Sequence, residues 1–313
     1  MRIAVLAGGR SSEREVSLMS GGQVLAALRA RGHDAQLVEC DAEMWEVLRD
    51  GAFDAVFPAL HGRYGEDGTV QAVCELLGLP YTGSPLLATA LCLDKAMAKR
   101  IFVAEGIDTP PWRLIEPTLP GERAAAAMAA AAAALGLPLV VKPNRAGSTV
   151  GLTIVPDSSG LMAAHAAAAA HDHVLCERLV AGTEITIGVL WHDPPQILPT
   201  LEIVSHRPLY DYAAKYTAGQ SEHVIPARLP EEQRVAAQHV AGRAHLALGC
   251  RGMSRVDLIV DGGGRPWVLE VNAIPGLTEL SLLPDAARAA GISFDALCDG
   301  LVEDALRRGE RRP

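Results

Sequence analysis

Two neighbouring apolar segments near the C-terminus carry oxygen-bearing side chains that could bind a metal ion. Asp257 interrupts the segment 255–260, and Glu270 and Asn272 interrupt the segment 266–272. Alternate residues of a strand point to one face, so Glu270 and Asn272 would share a face. Carboxylate and amide oxygens suit a Mg²⁺ ion that bridges nucleotide phosphates. The alternative is an edge hairpin with polar residues facing solvent, although a charge within a buried strand needs a partner.

A lysine that ends a strand and precedes a glycine- and serine-rich turn is a second candidate site. The strand 139–142 ends at Lys142, and the turn contains Gly147, Ser148 and Gly151. Backbone N–H groups in such a turn can lie over phosphates. The chain has no GxxxxGK[ST] sequence, so this is not a Walker site. A plain hairpin with a surface lysine is the alternative.

Two further candidate loops follow predicted N-terminal strands. The first begins at Gly8 and contains Glu13 and Glu15, whose carboxylates could hold an ammonium group or could simply favour a helix N-terminus. It lacks GxGxxG, which argues against a dinucleotide site. The second loop, 61–69, begins with His61 and is rich in glycine. It is either a substrate loop or a turn with a hydrogen-bonded histidine.

The segment after Asn272 offers groups that could bind an anion. Backbone amides near Gly276 and the hydroxyl of Ser281 could stabilise an oxyanion or a carboxylate. The alternative is a turn in which Ser281 caps the last helix.

Strands and helices alternate in the first third of the chain, and these elements must position the N-terminal loops. Predicted strands are 2–7, 35–39, 54–60 and 79–81. Predicted helices are 17–31, 71–77 and 95–105, the last with Asp94 as its N-cap. Such alternation indicates an open α/β sheet.

The rest of the chain divides into two more predicted units. The second has alanine-rich helices at 122–135 and 158–170 and strands at 139–142, 150–155 and 173–177. The third has strands at 184–191, 196–204, 254–260 and 266–271 and helices at 231–247 and 285–307. It also contains a polar stretch at 205–223, whose length is typical of a functional or disordered loop.

Composition limits the class of protein. The chain has 313 residues, more than one core usually holds, and 49% hydrophobic residues are enough for sizeable cores. The net charge of −9 argues against a broad nucleic-acid surface. The six cysteines show no CxxC or zinc-like spacing, so we expect reduced, mostly buried thiols in a cytoplasmic protein. The uncharged stretch 124–141 is interrupted by Gly136 and Pro138, so we expect a helix and a strand rather than a membrane span.

Together these segments resemble those of the D-alanine–D-alanine ligases, a branch of the ATP-grasp superfamily. The segments that carry the resemblance are GGRSSEREVSLMSG, LHGRYGEDGTVQ, GLPYTGS, DKAMAK, VVKPNRAGSTVGL, DYAAKY, SRVDLIV and LEVNAIPGLTELSLLP. They cover nearly the whole chain, and their order and spacing are specific. The resemblance implies a three-domain ATP-grasp fold, α/β with an α+β C-terminal part. The domains would be an N-terminal open parallel sheet at 1–94, a central domain at 95–181 and a C-terminal domain at 182–313.

The resemblance also implies which residues form the site. ATP would contact Lys95, Lys142, Ser148, Glu177, Arg178, Val180, Glu184 and Lys215. Two magnesium ions, replaceable by manganese, would bind Asp257, Glu270 and Asn272, in agreement with the pattern of oxygen ligands described above. Substrate binding would involve Glu13, His61, Tyr216, Arg255, Gly276, Ser281 and Leu282.

Individual roles follow from the matched positions. Glu13 would hold the ammonium group of the first D-alanine. Arg255 and the Gly276 amide would stabilise the oxyanion. Ser281 and Leu282 would bind the carboxylate of the second substrate.

Two further expectations concern closure of the site and proton transfer. Ser148 and Tyr216 would, with Glu184, tie the loop 205–223 over the site, where it would keep water from an acyl phosphate. His61 is a candidate for assisting deprotonation of the second amine.

The implied activity is ATP-dependent formation of D-alanyl-D-alanine for peptidoglycan precursors, in a cytoplasmic homodimer without nucleic-acid or membrane partners. The chain departs from the family pattern at Ala273, Leu277 and 279–280, which leaves open a related ligase that uses D-serine, D-lactate or another amino acid. Arg178 replaces a common lysine, whereas Tyr216 favours D-alanine. A non-catalytic α/β nucleotide-binding module is the third alternative.

Overall fold

Three sheets organise the chain, each built from strands that are contiguous in sequence. The computed structural model describes residues 1–11, 13–147, 149–191, 194–205, 221–278 and 281–309. The predicted site residues Ser148, Lys215 and Tyr216 lie outside the described residues, as does most of the predicted loop 205–223. The described helices are Arg14–Ala30, Met44–Asp50, Thr69–Leu77, Leu86–Leu93, Lys95–Ala104, Gly121–Leu135, Leu161–Ala169, Glu231–Ala247, Leu282–Ala289 and Phe294–Gly309, with a 3₁₀ turn at Ser158–Gly160.

The first sheet is parallel, with strand order β2-β1-β3. Its strands are β1 at Arg2–Ala7, β2 at Asp34–Glu39 and β3 at Ala55–Pro58. β1 is apolar and buried from its second residue onward, as expected of a central strand covered on both faces. The predicted open parallel sheet is confirmed. The predicted strand 79–81 forms only a single parallel bridge, between Val56 and Tyr81.

The second sheet is antiparallel, with strand order β4-β7-β5-β6. Its strands are β4 at Trp112–Ile115, β5 at Leu139–Pro143, β6 at Thr153–Val155 and β7 at Val174–Arg178. The two predicted alanine-rich helices are present and pack against each other and the sheet. Alanine is the strongest helix former, which explains why these segments are helical despite their uniform composition.

The third sheet is antiparallel, with strand order β11-β10-β8-β12-β13 and β9 paired to β8. Its strands are β8 at Gly182–Leu190, β9 at Gln196–Ile197, β10 at Leu201–Ser205, β11 at Ser221–Val224, β12 at Met253–Asp261 and β13 at Pro266–Asn272. The predicted hairpin of β12 and β13 is confirmed. Asp261 closes its turn, because its Oδ1 accepts hydrogen bonds from the backbone N–H of Gly263 at 2.9 Å and of Arg265 at 3.0 Å.

Several predicted elements are shorter or divided in the structure. The predicted strand 196–204 is split into β9 and β10 around Pro199, which has no N–H to donate to a ladder. The predicted helix 285–307 is two helices separated at 290–293. The predicted strand 150–155 begins only at Thr153, because 149–151 form a turn. Residues 221–224 are a strand rather than part of a loop.

The hydrophobic clusters show how the sheets are joined. One cluster packs Ile3 and Phe57 of the first sheet against Leu297 and Leu301 of the last helix. A second joins β8, β12 and β13 to the helix Glu231–Ala247 and to Phe102. A third lies entirely between residues 115 and 176, around the second sheet. We call residues 112–178 the central unit. The domain boundaries at 94/95 and 181/182 stay predictions.

The cysteines match the expectation of buried thiols. All six are free, and Cys40 is the one that is not buried. The Sγ atoms of Cys92 and Cys250 lie 3.4 Å apart. Among the described residues, no helix is both long enough and apolar enough to cross a bilayer.

Candidate active site

The hairpin of β12 and β13 places the predicted metal ligands opposite one another. Asp257 on β12 pairs with Glu270 on β13, and Arg255 pairs with Asn272. The register shifts between Asp257 and Leu258, directly after the acidic pair. Such a bulge re-aims neighbouring side chains. The predicted pattern of polar residues within apolar strands therefore corresponds to one polar face of this hairpin.

Asp257 is held by three neighbours. Arg255 donates to both of its oxygens, from Nε to Oδ1 at 2.9 Å and from Nη2 to Oδ2 at 2.8 Å. The Thr186 hydroxyl on β8 donates to Oδ1 at 2.6 Å, and Asn272 Nδ2 donates to Oδ2 at 3.0 Å. A bidentate arginine fixes the orientation of a carboxylate as well as its charge. The arginine and the acid thus form one preorganised unit on the polar face.

Lys95 connects the hairpin to the glycine-rich turn. Its Nζ lies 3.0 Å from Glu270 Oε2 and donates to the backbone oxygen of Ala146 at 3.0 Å. Lys95 is the first residue of a helix that is capped as predicted, because Asp94 accepts from the Met97 N–H at 3.0 Å. Burial opposes the charged form of Lys95, but Glu270, with Glu177 and Glu66, outweighs it and holds the pKa of Lys95 above its ordinary value.

Asn144 ties the start of this helix to the strand that carries Lys142. Its Oδ1 accepts from the Ala96 N–H at 2.8 Å, and its Nδ2 donates to Asp94 Oδ1 at 2.8 Å. The side chain is buried, and its bond to Ala96 is shielded from water. These bonds fix the spacing between Lys95 and Lys142.

A second buried cluster lies beneath Lys142. Glu177 on β7 contacts Lys142 Nζ through Oε2 at 2.9 Å and Lys99 Nζ through Oε1 at 3.0 Å. Burial would raise the pKa of Glu177, but Lys142 and Lys99 more than compensate and lower it. Burial lowers the pKa of Lys99 to about 8. The cluster carries two ammonium groups and one carboxylate, an excess of positive charge suited to phosphates.

Glu13, His61 and Glu66 come together where the N-terminal strands end. A side chain placed on Gly62 would lie 2.9 Å from Glu13 Oε2, and one on Gly147 would lie 3.4 Å from it, so the carboxylate sits between two glycines. Ser11 joins the loops by donating from Oγ to the His61 backbone oxygen at 2.8 Å. The side-by-side ends of parallel β1 and β3 bring these loops together.

The two ionisable groups beside Glu13 have displaced protonation equilibria. His61 is buried, with Nε2 3.1 Å from Ser20 Oγ, and burial lowers the pKa of its imidazole. Burial, reinforced by the nearby Glu13 carboxylate, raises the pKa of Glu66 to about 8. Glu66 Oε2 accepts from the Gly62 N–H at 3.1 Å. The first cavity described below therefore contains an imidazole whose neutral form is favoured and a carboxyl group that holds its proton up to about pH 8.

Gly276 and Ser281 are adjacent in the structure. A Cβ on Gly276 would lie 2.8 Å from Ser281 Oγ. Ser281 is the N-cap of the helix Leu282–Ala289, but its hydroxyl does not cap that helix. Instead, Oγ accepts from the Thr278 N–H at 3.1 Å and contacts Thr278 Oγ1 at 2.8 Å. Ser281 therefore occupies the N-cap position that the alternative interpretation gave it, but its hydroxyl does not form a capping hydrogen bond.

These groups line two adjoining cavities. The first is lined by Glu13, His61, Glu66, Asn272 and Gly276 among others. The second is lined by Lys142, Glu184, Asp257 and Leu282 among others. Lys95, Gly147, Arg255 and Glu270 line both. The shared wall thus consists of two cations, one carboxylate and a turn with exposed backbone.

The oxygen ligands on the hairpin fit a magnesium ion that is shared with phosphates. Within the described residues, no group of three or more His, Cys, Asp or Glu is arranged to hold a metal. Asp257 and Glu270 supply two carboxylates and Asn272 an amide oxygen, from paired positions. Magnesium is commonly held by one or two carboxylates with substrate phosphates completing its shell. The donor set fits that arrangement and not a metal held by protein alone.

Not every predicted ATP contact faces the second cavity. Glu177 lies beneath it, and Arg178 and Val180 are absent from its described lining. Arg178 Nε donates to the Leu135 backbone oxygen at 3.2 Å, so this side chain turns toward the neighbouring helix.

Three residues that the sequence did not single out belong to the site or its support: Glu66, Lys99 and Asn144. Each lies within a segment of the family resemblance. The spacing of four residues between Lys95 and Lys99 on one helix face was the available signal for Lys99.

Comparison with known proteins shows the family of this chain. Family models described as the D-ala D-ala ligase C-terminus and N-terminus match residues 101–303 and 44–84. The D-alanine–D-alanine ligase of Moorella thermoacetica is 49% identical over 98% of this chain and 99% of its own length. That of Pelotomaculum thermopropionicum is 47% identical over 100% and 99%.

Solved structures of similar proteins share the fold over almost the full length. The Bacillus anthracis D-alanine–D-alanine ligase complexed with ATP has a TM-score of 0.84 at 34% identity, covering 99% of each chain. The D-Ala:D-Ser ligase VanG of Enterococcus faecalis has a TM-score of 0.83 at 32% identity, covering 97% of this chain and 99% of its own. In this chain the two cavities meet at Lys95, Arg255 and Glu270. The chain belongs to the D-alanine–D-alanine ligase family and has the ATP-grasp fold.

Proposed function

We propose that this protein is an ATP-dependent ligase that joins two D-alanines into D-alanyl-D-alanine through an acyl-phosphate intermediate. The observation that carries the proposal is the shared wall of Lys95, Arg255 and Glu270 between the two cavities. At this wall, a phosphoryl group bound in the second cavity would meet a substrate carboxylate bound in the first. The full-length relatives named as D-alanine–D-alanine ligases support the same activity.

The second cavity is proposed to hold ATP. Lys142 and Lys95 would bind phosphate oxygens and stabilise charge on the transferring group. Glu184 lines this cavity and would bind the ribose. Glu177, Arg178 and Val180 are proposed to lie along the adenine through their backbone, because the Glu177 carboxylate contacts Lys99 and Lys142 and the Arg178 side chain turns to Leu135. Ser148 and Lys215 are proposed as further contacts.

The polar hairpin face is proposed to hold magnesium through Asp257, Glu270 and Asn272. A metal bound there would supply positive charge beside the phosphates of the nucleotide, and manganese could replace magnesium. The two carboxylates already face cations, Arg255 at Asp257 and Lys95 at Glu270. Those contacts hold the acids in place and keep their charges balanced.

The first cavity is proposed to hold the amino acids. Glu13 would bind the ammonium of the first D-alanine, whose carboxylate oxygen attacks the γ-phosphorus as ADP leaves. The amine of the second D-alanine would then attack the acyl carbon, and phosphate would leave. Arg255 and the Gly276 amide would stabilise the oxyanion of this step. The neutral His61 imidazole could accept a proton as the attacking ammonium loses it.

The second substrate is proposed to be D-alanine, with its carboxylate near Ser281 and Leu282. The similar fold of a D-Ala:D-Ser ligase keeps a related second substrate as the competing proposal. Tyr216, with Ser148 and Glu184, is proposed to fasten a loop over the reactants. We further propose that the product enters peptidoglycan precursors and that the protein is a cytoplasmic homodimer.

A substrate panel tests the proposed function. Protein, ATP and Mg²⁺ are incubated with D-alanine alone and with D-alanine plus D-serine or D-lactate, and the products are identified by mass. We expect phosphate release and D-alanyl-D-alanine with D-alanine alone. Product only in the mixed reactions would assign the related activity, and no ATP turnover with any amino acid would favour a non-catalytic nucleotide-binding module.

Asp257→Ala and Glu270→Ala test the metal site in the same assay. We expect each to reduce turnover at least a hundredfold, because both would remove a ligand and an ionic partner. Activity unchanged in both variants would overturn the proposed metal site.

A further inference from the structure

Lys99 is a fully buried lysine that the proposed mechanism does not use. It lies one helical turn after Lys95, on the same helix, and its exposed fraction is 0%. Fully buried lysines are rare because removing an ammonium from water is costly unless it is paired. A lysine in this position therefore needs an account in terms of its partners.

The Lys99 ammonium has partners from two different elements. Its Nζ lies 3.0 Å from Glu177 Oε1 on β7 and donates to Thr109 Oγ1 at 2.6 Å. It also lies over the Trp112 ring, 5.9 Å from its centroid. Glu177 is itself 2% exposed, so the ion pair is shielded from water on both sides.

Glu177 divides its carboxylate between two lysines. Oε1 faces Lys99 and Oε2 contacts Lys142 Nζ at 2.9 Å. Lys142 is less buried and lines the second cavity. With Lys99 present, one carboxylate balances one of the two ammonium groups, so the cluster keeps a net positive charge for a phosphate. Without it, Lys142 and Glu177 would form a neutral one-to-one pair.

Thr109 extends the cluster to the strand that carries the acidic ligands. Its hydroxyl accepts from Lys99 and donates to the Val268 backbone oxygen at 2.8 Å. Val268 lies on β13, two residues before Glu270. Contacts thus link Lys142 to Val268 through Glu177, Lys99 and Thr109. They join the second sheet to the third, below the proposed phosphate position.

We propose that Lys99 is a positioning residue for ATP, which acts through Glu177 to hold the Lys142 ammonium in the cavity and in register with β13. The proposal rests on the proposed placement of ATP near Lys142. Lys99 itself touches no substrate in this arrangement. Its removal should therefore weaken the use of ATP while leaving the amino-acid cavity intact.

Lys99→Met tests the proposal by steady-state kinetics with each substrate varied in turn. Methionine retains the length of the side chain but removes its charge. We expect KM for ATP to rise about tenfold and KM for D-alanine to stay within about twofold. Arg100→Met is the matched control, since it removes a cation from the exposed face of the same helix and should change neither constant.

A double-mutant cycle separates action through Glu177 from a general loss of structure. In a Glu177→Gln background, Lys99→Met should change KM for ATP by less than about twofold, because the carboxylate through which Lys99 acts is gone. An equal tenfold effect in both backgrounds, or equal rises in KM for both substrates, would overturn the proposal. Thermal unfolding of each variant identifies those that remain folded.

Thr109→Val provides a second variant in case Lys99→Met does not fold. It removes the hydroxyl between Lys99 and Val268 without changing a charge, and we expect KM for ATP to rise about threefold. An unchanged KM for ATP in this variant would count against the proposal.

Lys142→Met separates failure of the proposed ATP site from failure of the proposed role of Lys99. If it leaves KM for ATP unchanged, the proposed ATP site is wrong, whereas an effect there without one at Lys99 or Thr109 overturns only the role of Lys99.

Discussion

At the scale of single residues, the carboxyl group of Glu66 in the first cavity has a strongly displaced protonation equilibrium. Burial and the Glu13 carboxylate raise its pKa from 4.5 to about 8. Two carboxyl groups that share a cavity cannot both ionise without repulsion, so one of them keeps its proton. A protonated Glu66 therefore adds no second negative charge beside Glu13.

Glu66→Gln should change how stability depends on pH. The folded protein holds the Glu66 proton up to about pH 8, whereas the unfolded chain releases it near 4.5, so this contribution to stability is present below pH 4.5 and is lost as pH rises to 8. Glutamine has no such proton. We expect the variant to gain about 3 to 4 kcal/mol over the wild type between pH 5 and pH 8, measured by urea unfolding without magnesium or nucleotide. If the free energy of unfolding depends on pH in the same way in the variant and the wild type, this expectation is wrong.

Gly62→Ala should weaken binding of the first amino acid. Gly62 has a φ of +70°, and a Cβ there would lie 2.9 Å from Glu13 Oε2, so the carboxylate would have to move. We expect KM for D-alanine to rise about tenfold with KM for ATP unchanged. Gly78→Ala is the control, because Gly78 has nearly the same φ of +68° but open space around it. If the two variants have similar kinetics, the change in KM for D-alanine comes from backbone strain and not from displacement of the Glu13 carboxylate.

The sequence predicted site residues that end or interrupt apolar strands, because a charge in such a place needs a reason. Asp257, Glu270 and Asn272 were found in this way. Glu66 and Lys99 were not, because their chemistry depends on partners that are distant in sequence, such as Glu177 for Lys99. Burial and electrostatic neighbours appear only once the chain is folded.

At the scale of elements, the close approach of β8 and β12 holds the hairpin in place. Thr186 of β8 reaches Asp257, and Gly182 lies at the other end of the same pairing, opposite Asp261. A Cβ on Gly182 would lie 2.2 Å from the Val260 backbone oxygen, a contact that no rotamer change can relieve. The strand therefore requires the smallest residue where it enters the sheet.

Gly182→Ala should destabilise the third sheet. We expect the free energy of unfolding to fall by about 2 kcal/mol, because backbone must shift to admit the methyl group. Chemical denaturation measures the change. Gly262→Ala, in the open hairpin turn, is the control and should cost less than about 0.5 kcal/mol, since nothing lies within 4 Å of the added atom. Equal losses would show that the sheet tolerates the shift.

Elements with strong local signals were predicted better than those without. The hairpin of β12 and β13 was predicted because its apolar strands flank a glycine-rich turn. The helix Met44–Asp50 and the strand Trp112–Ile115 were not, because both are short and lack a clear period. Their formation depends on packing against neighbours, which local sequence does not specify.

At the scale of the whole molecule, the N-terminal sheet and the last helix form one structure. Ile3 and Phe57 share a cluster with Leu301, and Asp299 accepts from Arg31 and contacts His33, each at 2.8 Å. By contrast, the described members of the central unit's cluster come only from that unit. Polar contacts that join the central unit to the rest include that of Asn144 with Asp94.

Hydrogen exchange should reveal these two cooperative regions. Leu301→Ala should destabilise by about 3 kcal/mol and speed exchange in both β1 and the helix Phe294–Gly309, with little change in the central unit. Met128→Ala, in the hydrophobic cluster of the central unit, should speed exchange in that unit, with little change in β1 and the helix Phe294–Gly309. Mass spectrometry of peptides measures both. Uniform acceleration across the chain in either variant would show a single cooperative unit instead.

The overall architecture was predicted from the order and spacing of weak motifs rather than from any one of them. The alternating pattern of residues 2–60 was enough for the parallel sheet, since apolar β1 reads as buried. The sharing of a core between the two ends of the chain was not predictable, because Ile3 and Leu301 lie far apart in sequence.

The self-contained core of residues 112–178 bears on how this chain can diverge. Mutations among its apolar side chains have their compensating partners inside the same stretch, so this stretch can drift or be exchanged without repacking the rest. A chimera that carries a relative's equivalent segment would mainly have to preserve the few polar junctions, such as Asn144 with Asp94.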